Sequence, residues 1–409
     1  MISSLKTVSN NQLCLNVLKT STRSFSNISV INNKIKSSLN NKVTLNKINI
    51  APKKQNLNVK NFNQIRSYVQ GSEVSFKGIK NFISLKDFTP EQILWLIRNS
   101  LEIKQDIKNG KSLPQYLKGK TLGMFFTKRS TRTRVSSESG WAGYGGHPMF
   151  LGKDDIQVGA GEPWKDTSIV VSSMVDCILA RLGGHEEVET LAKYSSVPVI
   201  NALTAKYHPL QILADIVTIY ETYLPNWREL PTNGLPLPKL PNLKVAWIGD
   251  ANNILHSLLV TLPRIGISIS AATPKKYTSP QDVIDFAVKN SRKNNKDYGE
   301  VSFTHDPVAA VKDCDIIITD TWISMGQESE KKQRLIDFAG FQVTEELAKK
   351  GGAKKDWKFM HCLPRKPQEV NDEVFYNPKR SIVFQEAENR KYTVMSVFEM
   401  LMVEAKKTN

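Results

Sequence analysis

The chain has 409 residues, 40% of them hydrophobic and 23% charged, with a formal net charge of +17. This composition is typical of a soluble globular protein, and the length allows two domains with substantial cores. No apolar run approaches the ~18 residues of a membrane-spanning helix, so we predict no membrane span. The cysteines lack any CxxC spacing, which indicates a reducing compartment and argues against a structural zinc site. They are Cys14, Cys177, Cys314 and Cys362.

The first 70 residues carry most of the positive charge. They contain eleven Lys and Arg and no Asp or Glu, which leaves only +6 for residues 71–409. This distribution, and the lack of interleaved aromatic and basic residues further on, disfavours the alternative of a nucleic-acid-binding protein. A segment so rich in Asn, Ser and Lys cannot build a core. We predict that residues 1–70 are a mitochondrial presequence and disordered leader, which implies a matrix location. The alternative is a disordered basic tail.

The globular part begins near Phe76, and its first half alternates strands with helices. Thr89 followed by Pro90 is typical of a helix start and predicts a helix of about 17 residues. Residues 152–163 are polar and Gly-rich and are predicted to form a loop. Apolar runs predict strands at Leu122–Phe126, Cys177–Arg181 and Val197–Asn201, with helices at Thr167–Met174 and from His208 through Tyr223.

A second alternating unit follows residues 225–242, whose Pro and Gly content predicts a linker or loop. Its predicted strands are Lys244–Asp250, Ser268–Ala272, Asp315–Thr319, Lys358–Cys362 and Ser381–Phe384, and its last helix is Lys391–Lys406. The alternation predicts an α/β protein with two doubly wound parallel-sheet domains linked by long helices. We place these domains at 76–224 and 243–386, with a C-terminal helix within 387–409 that packs back on the first domain.

A cluster of positive charge follows the first predicted strand. Cations at a helix N-terminus oppose the macrodipole and cost about 0.3–1 kcal/mol each. Neighbouring hydroxyl groups lie beside free backbone N–H groups, so the turn suits a bound dianion. We therefore predict a phosphate site, the alternative being a solvated basic turn. The cations are Lys128, Arg129, Arg132 and Arg134, and the hydroxyl groups are those of Ser130, Thr131 and Thr133.

Further polar residues lie where predicted strands end, which is where parallel sheets bind ligands. They are Arg181, His208, Asp250, Asp320 and Cys362. His208 and Gln211 lie on one helical turn and suit a carbonyl and an amide better than a metal. Asp320, followed by the polar segment 321–327, fits capture of an amine under a mobile lid, the alternative being a helix cap. Cys362 could be a nucleophile, but no base is identifiable, which favours a binding contact.

Two motifs together resemble the transcarbamylase family. Ser130-Thr131-Arg132-Thr133-Arg134 matches the segment that grips the phosphate of carbamoyl phosphate in that family, and His208-Pro209-Leu210-Gln211 is the second motif. The Asp320–Gly326 segment and His361-Cys362-Leu363-Pro364 resemble ornithine transcarbamylases more than aspartate transcarbamylases. The resemblance runs from about Phe82 to Leu401.

The resemblance implies a role for each matching residue. Carbamoyl phosphate would be bound by Ser130, Thr131, Arg132, Thr133, Arg181, His208, Gln211 and Arg390. Ornithine would be held by Asn253, Asp320, Ser324, Met325, Cys362 and Leu363. The residues expected to be catalytic are Arg181, His208, Gln211 and Cys362. We expect direct attack of the δ-amine on carbamoyl phosphate, with no cofactor or metal. A homotrimer is implied by the family alone, and a transcarbamylase for another amino acid or a diamine is the alternative activity.

Overall fold

The computed structural model describes residues 74–157, 161–229, 236–240, 242–324 and 326–407. The predictions for residues 1–70, for Met325 and for part of the 225–242 segment lie outside these ranges. None of the helices in the described ranges is both long enough and apolar enough to cross a lipid bilayer.

Four parallel strands form the first sheet, in the order β2–β1–β3–β4. They are β1 (Thr121–Phe126), β2 (His147–Gly152), β3 (Cys177–Arg181) and β4 (Val199–Leu203). The central strands β1 and β3 are buried almost throughout because helices cover both faces. Strand β2 was not predicted; it is an edge strand with partly exposed side chains, so it shows no continuous apolar run.

Five α-helices belong to the first half among the residues that the structure describes. They are α1 (Pro90–Lys108), α2 (Thr131–Gly143), α3 (Trp164–Ser172), α4 (His185–Tyr194) and α5 (Pro209–Tyr223). A capping box starts α1, in which Thr89 Oγ1 accepts from Gln92 N and Gln92 Oε1 accepts from Thr89 N, at 3.2 and 2.9 Å. Helix α3 begins three residues earlier than predicted, directly after Pro163 at its N-cap.

Five parallel strands form the second sheet, in the order β7–β6–β5–β8–β9. They are β5 (Lys244–Ile248), β6 (Ser268–Ala272), β7 (Val301–Thr304), β8 (Ile316–Thr319) and β9 (Lys358–His361). The edge strand β7 was not predicted. The predicted strand Ser381–Phe384 is wrong, because Ser381 makes only an isolated bridge to Phe359 and a helix begins at Val383.

Within its described residues, the second half contributes seven further α-helices, some of them a single turn. They are α6 (Asn253–Thr261), α7 (Gln281–Lys289), α8 (Pro307–Ala310), α9 (Lys331–Asp337), α10 (Glu345–Gly351), α11 (Asp372–Phe375) and α12 (Val383–Glu399). A π-helical turn, Met400–Glu404, extends α12 to a last short turn, Ala405–Lys407.

Helix α12 packs against helices of the first half. Ser396 Oγ donates to Leu96 O at 3.0 Å, and the Phe398 ring meets Trp141 edge to face at 4.9 Å. Asn389 Nδ2 donates to Thr218 Oγ1 on α5 at 2.8 Å. Arg390 on α12 donates to Gln211 and Thr133, which follow strands β4 and β1. Helix α12 therefore carries polar side chains of the second half to the carboxyl ends of the first sheet.

Candidate active site

The turn after strand β1 starts helix α2. Ser130 is the N-cap, and its Oγ accepts from Thr133 N at 3.3 Å. Thr133 is buried and accepts a hydrogen bond from Arg390 Nη2 at 3.2 Å, whereas Thr131 is exposed. Arg134 points elsewhere: it pairs with Glu138 and lies over the Phe150 ring at 3.7 Å. The turn therefore offers hydroxyl groups, helix N-terminal N–H groups and the Arg132 side chain to a ligand.

Three guanidinium groups converge beside this turn, from Arg132, Arg181 and Arg390. Within the described residues none of the three forms an ion pair with a carboxylate. Burial, followed by repulsion from Arg132 and, for Arg390, also from Arg181, lowers the pKa of Arg181 and of Arg390 to about 10 each. The Nε atoms of Arg181 and Arg390 are buried without a hydrogen-bond partner. Such a cluster is costly unless an anion enters it, so it is arranged to bind a ligand with several anionic oxygens.

His208 and Gln211 lie at the start of helix α5 beside these arginines. Burial and then the three positive charges hold the pKa of His208 well below its ordinary value, so the imidazole is neutral. Its Nδ1 is buried without a partner. Gln211 Oε1 accepts from Arg390 Nη1 at 2.7 Å. A neutral ring nitrogen and an amide oxygen suit a polar, uncharged group of a ligand.

The second half adds a thiol and a carboxylate to the same site. Cys362 Sγ donates to Asp320 Oδ1 at 3.0 Å, and Asn252 Nδ2 donates to Asp320 Oδ2 at 2.7 Å. Burial, and then the Asp320 charge, raise the pKa of Cys362 well above its ordinary value. The thiol is therefore protonated, which suits a binding contact rather than a nucleophile. Leu363, the next residue, accepts a hydrogen bond from Arg132 of the first half, so both halves line one site.

The turn after Cys362 joins the two halves directly. Leu363 adopts a left-handed backbone with φ 61°, its N–H donates to His361 Nδ1 at 2.9 Å, and its carbonyl accepts from Arg132. One group of described side chains, Asp320, His361 and Cys362, offers donor atoms within 4.8 Å of one another and could hold a metal ion. All three side chains already take part in the hydrogen bonds just described, and these bonds hold the turn after Cys362 in place.

The remaining predicted residues lie less centrally. Asn253 Nδ2 donates to Thr204 O at 2.6 Å, between helix α6 and the end of strand β4. Ser324 lies in the loop after Asp320, where its N–H donates to Gln327 Oε1 at 3.0 Å. Asp250 pairs with Arg334 at 3.1 Å, and Arg334 also donates to Trp322 O at 2.8 Å, which anchors that loop.

Sequence reasoning missed three polar residues of the site. Asn252 contacts Asp320, and its position as N-cap of helix α6 was the available signal. Asp215 and Glu386 form a buried acidic pair behind Gln211. Glu386 falls four residues before Arg390 on one helix, but nothing in the sequence connects it with Asp215.

Comparison with known proteins places this geometry in a family. Residues 80–221 match the model for the carbamoyl-P binding domain of aspartate/ornithine carbamoyltransferase, and residues 241–401 match the Asp/Orn binding domain. The chain is 52% identical over 328 residues to the mitochondrial ornithine carbamoyltransferase of Emericella nidulans, covering 79% of this chain and 89% of that protein. It is also 48% identical over 336 residues to the mitochondrial ornithine carbamoyltransferase of Schizosaccharomyces pombe, covering 81% and 97%.

Solved structures agree with the sequence matches. The crystal structure of a mitochondrial ornithine carbamoyltransferase from Coccidioides immitis superposes with a TM-score of 0.72 at 46% identity, covering 80% of this chain and 99% of that one. Ornithine carbamoyltransferase from Pyrococcus furiosus gives the same TM-score at 41% identity, covering 80% and 98%. These neighbours share the two parallel-sheet α/β domains. The chain belongs to the aspartate/ornithine carbamoyltransferase family.

Proposed function

We propose that this chain is an ornithine carbamoyltransferase, which moves the carbamoyl group of carbamoyl phosphate to the δ-amine of L-ornithine and releases citrulline and phosphate. The observation that carries the proposal is the cluster of Arg132, Arg181 and Arg390, unpaired with carboxylates among the described residues and facing the Asp320–Cys362 pair. A dianion beside an amine-binding carboxylate is what this transfer requires. The reaction belongs to the urea cycle and arginine biosynthesis.

Carbamoyl phosphate is held by the turn and the arginine cluster. Its phosphate lies against the Ser130–Thr133 turn, Arg132 and Arg390. Its carbamoyl carbonyl lies against Arg181 and the neutral imidazole of His208, which stabilise the oxyanion as the amine attacks. The carbamoyl NH₂ lies against Gln211, whose amide oxygen accepts two hydrogen bonds and uses one for Arg390.

Ornithine is held by the second half. Asp320 accepts the α-ammonium group, with Asn253, Ser324 and Met325 supporting the α-carbon substituents. The δ-amine lies beside Cys362 and Leu363. Asp320 already accepts from Asn252 and Cys362, and a carboxylate has further lone pairs for an ammonium group.

The δ-amine attacks the carbonyl carbon of carbamoyl phosphate directly, without a carbamoyl group bound covalently to the protein. The δ-amine must be neutral to attack, and desolvation in the closed site favours that form. The new C–N bond forms as a tetrahedral intermediate, the C–O bond to phosphate then breaks, and the departing phosphate accepts the amine proton. The chain supplies position and charge, and no cofactor takes part.

A substrate panel tests the function. Carbamoyl phosphate should be converted with ornithine but not with aspartate or putrescine, because aspartate lacks the remote amine, and putrescine lacks the α-carboxylate, that the proposed site binds. Transfer is measured as label carried from carbamoyl phosphate into the carbamoylated product of each acceptor, which is citrulline for ornithine. Equal transfer to putrescine would show that the α-substituents are not read, and transfer to aspartate alone would contradict the proposal.

We further propose that the chain forms a homotrimer. Apolar side chains are exposed on helix α2, on the edge strand β2 and on and just after helix α3, a pattern that marks a protein interface. They are Val135, Met149, Ile169, Val170 and Met174. Light scattering on the purified protein should give three times the chain mass, and substituting both Val170 and Met174 by Glu should lower it. A wild-type protein that scatters as a single chain would contradict the trimer.

We also propose that the protein works in the mitochondrial matrix. The relatives just described from Emericella nidulans and Schizosaccharomyces pombe are named mitochondrial, and residues 1–70 contain no acidic residue. A fluorescent protein fused after residue 70 should enter the matrix. A fusion that stays outside mitochondria would contradict the assignment.

A further inference from the structure

Two carboxyl groups are buried together behind the arginine cluster. Asp215 on helix α5 and Glu386 on helix α12 are each 1% exposed. Neither forms an ion pair with Lys or Arg within the described residues, and both accept a hydrogen bond from the same amide nitrogen, Gln211 Nε2. Burial, and for Glu386 then the charge of Asp215, raise the pKa of both above the ordinary range. Two carboxyl groups this close cannot both ionise readily, so they share a proton.

The surrounding charges act unequally on the two groups. After burial, the charge of Asp215 is the largest cause that raises the pKa of Glu386. Arg390 favours the ionised form of Asp215. The pair therefore carries one negative charge.

This pair determines how the Gln211 amide is oriented. Gln211 Nε2 donates to Asp215 Oδ1 at 2.8 Å and to Glu386 Oε1 at 2.9 Å. An amide nitrogen has two hydrogens, so both are used. The amide oxygen must then point the other way, and it accepts from Arg390 Nη1 at 2.7 Å.

Glu386 also reaches the second half of the site. Its Oε2 accepts from the backbone N–H of His361 at 3.0 Å, the residue before Cys362. Arg390 follows Glu386 by four residues on helix α12, so both project from the same face of that helix. The pair thus connects α5, α12 and the end of strand β9.

We propose that Asp215 and Glu386 are positioning residues: their hydrogen bonds to Gln211 Nε2 and to the backbone N–H of His361 hold Gln211, Arg390 and the His361–Cys362 backbone in the arrangement needed for carbamoyl transfer. The inference rests on the proposed function. The pair does not touch the substrates; it acts because a reversed Gln211 amide would turn N–H groups towards Arg390 and the carbamoyl NH₂.

Two matched substitutions separate positioning from mere filling of space. Asp215→Asn and Glu386→Gln both remove the shared proton and leave one negative charge. In Asp215→Asn, the new amide oxygen accepts from Gln211 and the new N–H donates to an ionised Glu386, so every hydrogen bond is kept. In Glu386, both carboxyl oxygens accept hydrogen bonds. Whichever of them becomes NH₂ in Glu386→Gln, the new group faces another donor, either Gln211 Nε2 or His361 N.

The two variants should therefore differ in activity. We expect Asp215→Asn to keep kcat/KM for carbamoyl phosphate within about threefold of wild type, because its hydrogen bonds survive. We expect Glu386→Gln to lose at least about tenfold, because the reacting groups are misplaced. Both are assayed below their unfolding transitions. Equal activity of the two variants, whether high or low, would overturn the proposal.

Two further measurements keep the test decisive. If Glu386→Gln does not fold, Asp215→Ala is compared with Asp215→Asn. The Ala variant should lose at least about tenfold in kcat/KM and the Asn variant restore it, whereas equal rates would overturn the proposal.

Infrared spectra should show a protonated-carboxyl band that both amide variants remove. If the wild type shows this band but transfers no carbamoyl group, only the proposed function is refuted. If neither substitution changes the band, the shared proton is refuted.

Discussion

Replacing Arg181 by Met should make the free protein more stable while abolishing its activity. Arg181 ends strand β3, is only 7% exposed and has no hydrogen-bond partner for its guanidinium within the described residues. Burial and the neighbouring Arg132 charge both penalise its cationic form. A methionine side chain of similar length removes the charge and keeps the apolar contacts of the stem.

The size of the gain follows from the pKa of Arg181. Its fall from 12.5 to about 10 corresponds to about 3 kcal/mol of destabilisation of the charged form in the folded protein. Because the folded-state pKa lies below the unfolded-state value, this cost is fully present at neutral pH and is relieved only above about pH 10. We expect Arg181→Met to raise the free energy of unfolding by about 1–3 kcal/mol, since cavity and packing changes offset part of the gain.

Arg264 provides a matched control. It is also 7% exposed, but its Nη1 donates to Leu85 O at 3.0 Å and its Nη2 donates to Phe88 O. Arg264→Met leaves these carbonyl groups without donors and should lower the free energy of unfolding by about 1–3 kcal/mol. Urea unfolding of both variants, with carbamoyl-transfer assays alongside, makes the comparison.

Phosphate provides the second readout. A ligand that binds only the folded protein stabilises it by about 2.7 kcal/mol at a hundred times its Kd, so phosphate should stabilise the wild type and not Arg181→Met. The reasoning would be refuted if Arg181→Met were destabilised as much as Arg264→Met, or if it kept both its activity and its stabilisation by phosphate.

Three further substitutions test the second half of the site. Asp320→Asn should raise KM for ornithine at least about tenfold, because it removes the charge opposite the α-ammonium, and leave phosphate affinity nearly unchanged; equal losses in calorimetric titrations of both ligands would contradict this. Cys362→Ser should retain measurable turnover, since the thiol of Cys362 is protonated, and a carbamoyl thioester trapped on the wild-type enzyme and seen by mass spectrometry would contradict direct attack. Burial raises the pKa of Asp250 from 3.8 to about 6 against the opposing charge of Arg334, so its ionisation should lower the free energy of unfolding by about 3 kcal/mol as the pH rises from about 4 to 6. Asp250→Asn should remove that slope in urea unfolding series, and parallel wild-type and variant pH profiles would argue against it.

The central strands were predictable because they are buried on both faces. Strands β1 and β8, for example, are almost entirely apolar, and their runs stand out in the sequence. The edge strands β2 and β7 have one neighbour each and partly exposed side chains, so burial imposes no continuous apolar pattern on them. Their pairing depends on the neighbouring strand, which local sequence does not encode.

The residues at strand ends were predictable for a topological reason. Parallel strands present their carboxyl ends at one edge of a sheet, so Arg181 and Asp320 fall there whatever the loops do. The hydrogen bonds that Asp320 makes there were not predictable. Asn252 and Cys362 lie 68 and 42 residues from Asp320, and only the order of strands in the second sheet brings them together.

Helix α12 shows that the wrongly predicted strand at its start and the missed site residue Glu386 have one cause. Hydrophobic periodicity predicted its C-terminal part from Lys391 but placed a strand over its start, where Phe384 is exposed while Glu386, Asn389 and Arg390 are buried. A helix whose buried face is polar gives no apolar stripe, so the pattern that indicates helices fails there. The face is polar because it lines the arginine cluster and carries the acid that orients Gln211, 175 residues earlier in the chain. The segment that local patterning describes worst is thus the segment that the proposed chemistry uses most, as expected where function and not packing selects the buried residues.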